Sequence, residues 1–378
     1  MKEITYTLHV DGEPAERRLL ERLQRIEVEE HVDMADMLRL EFATSVRDDE
    51  SGWSLVDDEI FEPFTALRFG LQAGSRSPDL VLNAYVIDVD VSFSNAPGQS
   101  TLEVVAMDHT ALMDREEKRR RWKDMRHSAI ARDIFDEYNL AGRAGTTVKK
   151  TEPGGQELEA PVMQRGTDAR FLRQLADQNG YLFYVETHPD SGQEEGHFHP
   201  LEREETSLDM EAQAPLRVSM GRTTNVDSFD VRYEMTKPFE AVGAGVKADS
   251  RDKQEASSDS STGSSHGKKS TLQGKKRKKF IPPASGQRTG DIQTYGQVLS
   301  NRSSYAIRAT GRLRIVEYEN VLRAKRPVQV EGAGDKFSVR YYVEQVQHTI
   351  TDEEYIQNFT LRTNAEGARQ NQPLTPRR

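Results

Sequence analysis

From residue 3 to residue 112 apolar and polar positions alternate with a period of two, the spacing of half-buried strands. Ile4 to Val10 alternates and ends at the turn pair Asp11-Gly12; Leu23 to Val32, Met37 to Phe42 and Pro63 to Leu71 follow as strands. Leu80 to Phe93 is long, with Val81, Tyr85, Ile87, Val89, Val91 and Phe93 mostly on one parity. A turn at Asn95-Ala96-Pro97-Gly98 leads into Thr101 to Met107, so the pair predicts a long hairpin. Between Val162 and Glu186 the pattern becomes that of a helix running straight into a strand. Thr167 is placed to cap it and Asp168 sits in the first turn, where the helix dipole favours a negative charge. Phe171, Leu172, Leu175 and Ala176 form one face; Arg170, Arg173, Gln174, Asp177 and Gln178 form the other. Asn179-Gly180 stops the helix, and Tyr181 to Val185, with Phe183 in it, is aromatic and β-branched.

Between these regions the character is different. Asp114 to Arg126 is strongly charged, with Trp122 inside it, and reads as a solvated loop or helix face or as a contact for an acidic neighbour. Ser128 is expected to cap a helix carrying Ile130, Ile134, Phe135 and Tyr138, ended by Gly142. Residues 187 to 215 are acidic and loop-like, with room for short strands. Strands resume at Leu216, through Val218, Val226, Phe229, Val231 and Tyr233, and then Phe239 to Val246. Residues 249–290 are rich in serine, glycine and lysine and predict a flexible insertion. Val298 to Tyr305 predicts a short helix; Ala309 to Tyr318, Pro327 to Glu331 and Val339 to Ile350 predict strands. Asp352-Glu353-Glu354 turns the chain into Tyr355 to Arg362. The expected order is a β region at 1–112, a helical connecting region at 113–190, and a second β region at 191–248 and 291–366. The 249–290 insertion splits that second region, and a polar tail closes the chain at 367–378. The fold class is β-rich α+β.

Composition narrows what such a chain does. Its 378 residues suffice for two or three cores, and 35% hydrophobic against 30% charged residues points to much wetted surface. A net charge of −10 argues against general nucleic-acid binding, and no specificity for nucleic acid is expected. Without cysteine, no disulfide or thiolate metal site forms. The N-terminus lacks the apolar segment of a secretory signal, and no apolar run approaches the ~20 residues of a membrane helix. No membrane insertion by this chain is expected.

A search for chemistry returns decoys. Residues 263–270, GSSHGKKS, have the wrong glycine spacing for a phosphate loop and no strand ahead of them. His197 and His199 share a strand face and would hold a divalent cation with a carboxylate, or else lie on a solvent-facing edge. The run Lys275, Lys276, Arg277, Lys278, Lys279 is a solvated loop or a contact for an acidic protein surface or phosphate groups. No nucleophile-elbow, zinc-protease or dinucleotide fingerprint occurs, and no cofactor is implied. Two carboxylates of a glycosidase carry no fixed spacing, so residue patterns alone are silent on them. Taken alone, the residues describe a multidomain β-rich protein with no visible catalytic site.

The ordered motifs add a resemblance. Gln164-Arg165-Gly166-Thr167-Asp168, then Phe171-Leu172, Leu175-Ala176 and Gly180-Tyr181-x-Phe183, are similar to the phage late control protein D family, which includes the hub part of VgrG proteins. Met107-Asp108-His109 to Leu112, Ser128 to Tyr138, Gly332-Ala333-Gly334 with Phe337, Tyr342 to His348, and Phe359 to Arg362 resemble further family segments in the same order. The resemblance covers roughly residues 5 to 363, and the 249–290 insertion departs from it. It implies two tube-like β-barrel or sandwich domains about a small helical middle region, and a structural rather than enzymatic role. It further implies a homotrimer forming a pseudo-sixfold ring, with spike protein, inner tube protein and other baseplate components as partners. Synthesis in the bacterial cytoplasm and assembly into the baseplate of a phage tail or contractile injection particle would follow. Because the chain stops soon after the second β region, the spike is expected on a separate chain. A tail-associated receptor- or carbohydrate-binding module and a tail-tip cell-wall hydrolase are the alternatives.

Overall fold

The computed structural model of the chain describes residues 4–47, 52–73, 79–96, 98–140, 147–151, 162–189, 191–201, 213–246, 253–258, 265–273, 277–281 and 289–367. The first region holds β1 (Ile4–Val10), β2 (Glu13–Pro14), α1 (Arg17–Leu20), β3 (Leu23–His31), β4 (Met37–Ala43), β5 (Ala66–Ala73), β6 (Leu80–Ser92), β7 (Thr101–Met107) and the single turn α2 (Thr110–Met113). The middle holds β8 (Lys118–Trp122), α3 (His127–Glu137), β9 (Val162–Gly166), α4 (Asp168–Asn179), β10 (Tyr181–Thr187) and β11 (Glu194–Pro200). Next come β12 (Leu216–Arg217), β13 (Ser228–Tyr233), β14 (Phe239–Val246), β15 (Lys253–Ser258), β16 (Lys269–Ser270), β17 (Arg277–Ile281) and α5 (Thr289–Ser304). The chain closes with β18 (Ile307–Arg314), α6 (Ile315–Tyr318), β19 (Pro327–Glu331), α7 (Gly334–Phe337), β20 (Arg340–Ile350), β21 (Tyr355–Thr363) and β22 (Ala365–Glu366).

Period-two alternation does what it predicts. In β4, Leu38, Leu40 and Phe42 point into the first core while Arg39 and Glu41 do not; Leu67, Phe69 and Leu71 of β5 join them. A second core gathers Ile307, Ala309, Leu313, Val328, Val330, Tyr341, Val343, Phe359 and Leu361. The two β regions are not separate sheets. They lie in one 13-stranded sheet, ordered β13-β18-β21-β20-β3-β4-β7-β6-β5-β1-β2, with β12 and β19 attached beside β20. The join is antiparallel pairing of β20 with β3, Gln345 opposite His31 through Ile350 opposite Ile26. A bulge between Val343 and Gln345 divides β20, whose first residues pair with β19 and whose last six pair with β3. Ile315, Ile350 and Tyr355, from the C-terminal region, therefore pack in the first core.

Several expectations are corrected. The charged segment 114–126 contains a strand: β8 pairs antiparallel with β9, which precedes the helix that Thr167 caps. Ser128 is not a cap; it is buried inside α3 and bonded to Thr151, while Arg126 holds the cap position without a side-chain bond. That helix ends at Glu137, before Gly142, which lies outside the described residues. The short strand allowed for within 187–215 is β11, which pairs with β10 and so belongs to the middle region; Gly196 lets β11 lie against the Phe135 ring of α3, 2.7 Å from where a Cβ would stand. Within 249–290, β15 and β17 flank β14, and Lys269–Ser270 pair with Ala365–Glu366, where Leu272 is buried. The predicted short helix is the sixteen-residue α5, and the strand from Ala309 stops at Arg314, giving way to the turn of α6.

A third core lies in the middle region, where Phe171, Leu172, Leu175 and Ala176 of α4 pack with Ile130, Ile134, Phe135, Phe183 and Phe198. Thr167 accepts from the Arg170 N–H, and Gly180 closes the helix at φ 67°. At Gly180 a Cβ would meet Val298 of α5 at 2.9 Å, so the bare glycine lets the two helices approach. Replacing buried Leu172 by alanine is expected to cost about 2–5 kcal/mol in urea unfolding, against within about 0.5 kcal/mol for exposed Gln174→Ala.

Candidate functional site

Where β3 meets β20, two polar residues occupy inward positions. Ile26, Val28 and Glu30 share the core-facing parity of β3; Val346, His348 and Ile350 share it on β20. Register sets Val346 opposite Glu30 and His348 opposite Val28, so the carboxylate and imidazole are diagonal neighbours. Glu30 is 1% exposed. It accepts from Arg323 Nε at 2.8 Å, the Ala324 N–H at 3.3 Å and His348 Nε2 at 3.1 Å. Glu30 can only accept at Nε2 and the Gln357 amide nitrogen can only donate to Nδ1 at 3.1 Å, an arrangement that matches the Nε2–H tautomer, with the Tyr355 hydroxyl 2.7 Å from Nδ1. Arg323 also donates to the Asp79 carbonyl at 2.8 Å.

The Arg323–Arg326 loop carries the network into the other two regions. Lys325, with a side chain 1% exposed, bonds Asp36 at 2.6 Å and lies 4.9 Å from the Tyr184 ring centroid on β10. Arg326 reaches Glu186, also on β10, at 2.9 Å. Asp36 donates its N–H to Asp108 at the end of β7. Three cations, Arg323, Lys325 and Arg326, thus meet three carboxylates, Glu30, Asp36 and Glu186, where the first β region, the middle and the second β region touch. Val32, Leu182, Tyr184 and Tyr342 make a small apolar cluster at the same junction.

Burial alone would raise the Glu30 carboxyl, but the Arg323 guanidinium and the His348 hydrogen bond outweigh it and hold that carboxyl well below its ordinary range. Glu186 behaves alike: burial opposes ionisation, and Arg326, Arg323 and Lys325 lower its pKa. Burial would lower Lys325, yet Asp36, Glu186 and Glu30 raise it, so the ammonium stays charged. Burial lowers His348. Burial pushes the Asp36 carboxyl up to about 7, with Lys325 pulling it down and Asp108 and Glu30 adding to the rise. A largely buried set of this kind contributes little net stability, since desolvation offsets the Coulomb gain. Its effect is geometric, because any other docking of the regions strands a buried charge.

Asp168 forms a second buried anion, 0% exposed, in the middle region. Burial raises its pKa, but bonds from Lys118, Gln164 and the Tyr138 hydroxyl lower it overall. Its position in the first helical turn is as expected; its burial is not.

The family model of the phage tail baseplate hub (GPD) matches residues 66–354. The chain belongs to that family. As a member, the hub is a structural component of a contractile tail or injection machine. No curated protein sequence matches it. Among solved structures it is similar to the 43 kDa tail protein of prophage MuSo2 from Shewanella oneidensis, at 14% identity and TM-score 0.63, covering 95% of this chain and 98% of that one. The tail protein from Neisseria meningitidis MC58 matches at 10% identity and TM-score 0.62, over 96% and 97% of the two chains. An E. coli protein described as a component of the type VI secretion system matches at 15% identity and TM-score 0.57, over 98% of the hub and 80% of that chain.

The motif residues of the hub fall together. Phe171, Leu172, Leu175 and Phe183 are buried in the third core, with Tyr181 half-buried against it. Lys275 and Lys276 lie outside the described residues; Arg277, Lys278 and Lys279 are exposed on β17, with Lys279 over the Phe239 ring. His197 and His199 are buried, not on a solvent-facing edge: His197 stacks on Tyr184 and His199 meets the Tyr184 hydroxyl at 3.2 Å. Among the described residues no group of three or more metal-binding side chains forms. Sequence reading missed the junction network. Glu30 and His348 were detectable as polar residues on a core parity, whereas nothing in the Arg323–Arg326 loop signals burial.

Arg323→Met leaves Glu30 buried without its guanidinium and is expected to destabilise the hub by about 3–5 kcal/mol in urea unfolding. A carboxylate held below its unfolded value contributes stability that is complete above that value and disappears as pH falls through the folded one. Urea midpoints should therefore drop below pH 4.5, the ordinary glutamate value, and Glu30→Gln should flatten that dependence.

Proposed function

We propose that three copies of the hub close into a pseudo-sixfold ring, with one face docking a sixfold inner tube and the other a threefold spike. The observation that carries this reading is the single sheet running through both β regions, which gives each chain two β units in a fixed relation. Its two ends differ. β13 has no strand on its far side among the described residues, and most of β1 is likewise open beyond the two residues held by β2. Unlike edges that pair head to tail generate rings when the rotation closes.

The face of the sheet turned away from the cores suits a wet channel. Gln345, Gln347, Asn358, Thr310 and Thr360 surround a shallow concavity of about 430 Å³. Further along, Glu41 lies opposite Glu103, and Glu103 opposite Asp90. Arg39 on the same face bonds Glu103 at 3.3 Å, so the row is polar and partly charge-balanced, as a water-lined face would be.

In this reading the hub is not catalytic: its strongly perturbed charges are sealed in the junction rather than set in a cleft. Residues Thr167, Asp168, Phe171, Leu172, Leu175, Gly180, Tyr181 and Phe183 hold the middle region rigid between the β regions. The β17 basic residues face other baseplate components. The chain is made in the bacterial cytoplasm and assembled into a particle; among the described residues no helix is long and apolar enough to cross a membrane.

Mass measurement of the purified protein, alone and with its spike, tests the ring. The expected assembly is three times 42.8 kDa. Glu234 donates its N–H to Ala306 of the neighbouring chain segment, so by alternation the Val231 N–H points to the open side of β13. Val231→Pro removes that donor and should leave a folded monomer by circular dichroism and mass. A wild-type protein that stays monomeric in both conditions would sink the ring.

A further inference from the structure

The ribbon of β8 and β9 is a two-stranded sheet whose two faces differ. Inward, Lys118 bonds Asp168, Arg120 bonds both oxygens of Glu137, and the Trp122 indole donates to Gln164 at 3.3 Å. Outward stand Arg119, Arg121, Met163 and Arg165, all exposed, with Arg119 directly opposite Arg165 and Arg121 opposite Met163. Arg170, exposed in the first turn of α4, adds a fourth guanidinium; its Cδ lies 3.6 Å from where a Cβ on Gly166 would stand. A cleft of about 550 Å³ runs between Arg119, Arg165 and Arg170, with Glu117 as its one carboxylate.

Two features of this arrangement oppose folding stability. Cations directly opposite each other on paired strands repel. A cation in the first turn of a helix opposes the macrodipole. Neither is relieved within the chain: among the described residues Arg119, Arg121, Arg165 and Arg170 have no carboxylate within 4.0 Å, although the chain carries 62 acidic residues. The inward cations of the same ribbon are each paired.

We propose that the outward face of this ribbon docks a carboxylate-rich segment of a partner protein. Guanidinium groups bind carboxylates in a planar, bidentate way, and three of them around one cleft, with Arg121 farther along the same face, match a short acidic stretch. Strands five residues long give a footprint of roughly 17 Å, the length of one extended peptide segment. Met163, 51% exposed between the arginines, supplies apolar contact that a peptide uses and a phosphate backbone does not. A net charge of −10 on the whole chain also disfavours a long polyanion. This surface is independent of the ring, because it is tested on the single chain.

The test is fluorescence anisotropy of a labelled hexaglutamate peptide against the full-length protein. Wild type should bind, more weakly as salt rises, and R119Q/R165Q/R170Q should lose about tenfold in affinity with an unchanged melting temperature. A control triple, R17Q/R222Q/R232Q, removes the same charge elsewhere and should bind as wild type. The proposal is overturned by no binding to wild type, or by an equal loss in the control. Tighter binding of a single-stranded oligonucleotide of equal charge overturns it too, since the face would then select phosphates.

Discussion

The bond between Glu30 and the Arg323 guanidinium is the constraint on which the arrangement of this hub depends. One partner is on a strand of the first β region; the other is in the loop before β19, nearly three hundred residues later. Both are buried, so neither can exchange its partner for water without moving a whole region. Lys325 and Arg326 extend the same loop to Asp36 and Glu186, which brings the middle region into register. Hydrophobic burial drives the three regions together but is non-directional. The charges select one way of docking.

A continuous sheet across both β regions makes that selection consequential. A strand pair with one buried face tolerates no slip of one residue, because every side chain would change face. β20 is under this rule twice, once against β19 and once against β3, and the bulge at Val343/Gln345 lets it satisfy both. The hub is therefore held in one register where its two β units meet and is polar on the face they share.

Charge on this molecule separates into three classes by setting. Junction charges are buried or half-buried, and each of the three cations meets a carboxylate. The middle region repeats the device on a smaller scale, with Asp168 taking three hydrogen bonds beneath the ribbon. Outside, the sheet carries a row of acidic residues in which Glu103 takes Arg39, and the ribbon carries an arginine face without carboxylate partners among the described residues.

The strands, the amphipathic helix with its Thr167 cap and Gly180 stop, and the family itself were legible in the sequence. They rest on local rules: period-two alternation, helical spacing, cap and turn chemistry, and an ordered set of motifs. Local rules failed where the decisive partner is distant. The charged run 114–126 contains a strand only because β9 lies beside it, and the serine- and lysine-rich 249–290 stretch contains strands because β14 and β22 supply partners. Ser128 has a cap residue's identity but sits inside α3 against Thr151. Sequence by itself determined which residues alternate, which turn and which family they belong to, since those depend on near neighbours along the chain. Tertiary structure alone decided that both β regions share one sheet and that Glu30, Arg323 and His348 meet. Strand pairing and charge burial depend on which segments are brought together across hundreds of residues.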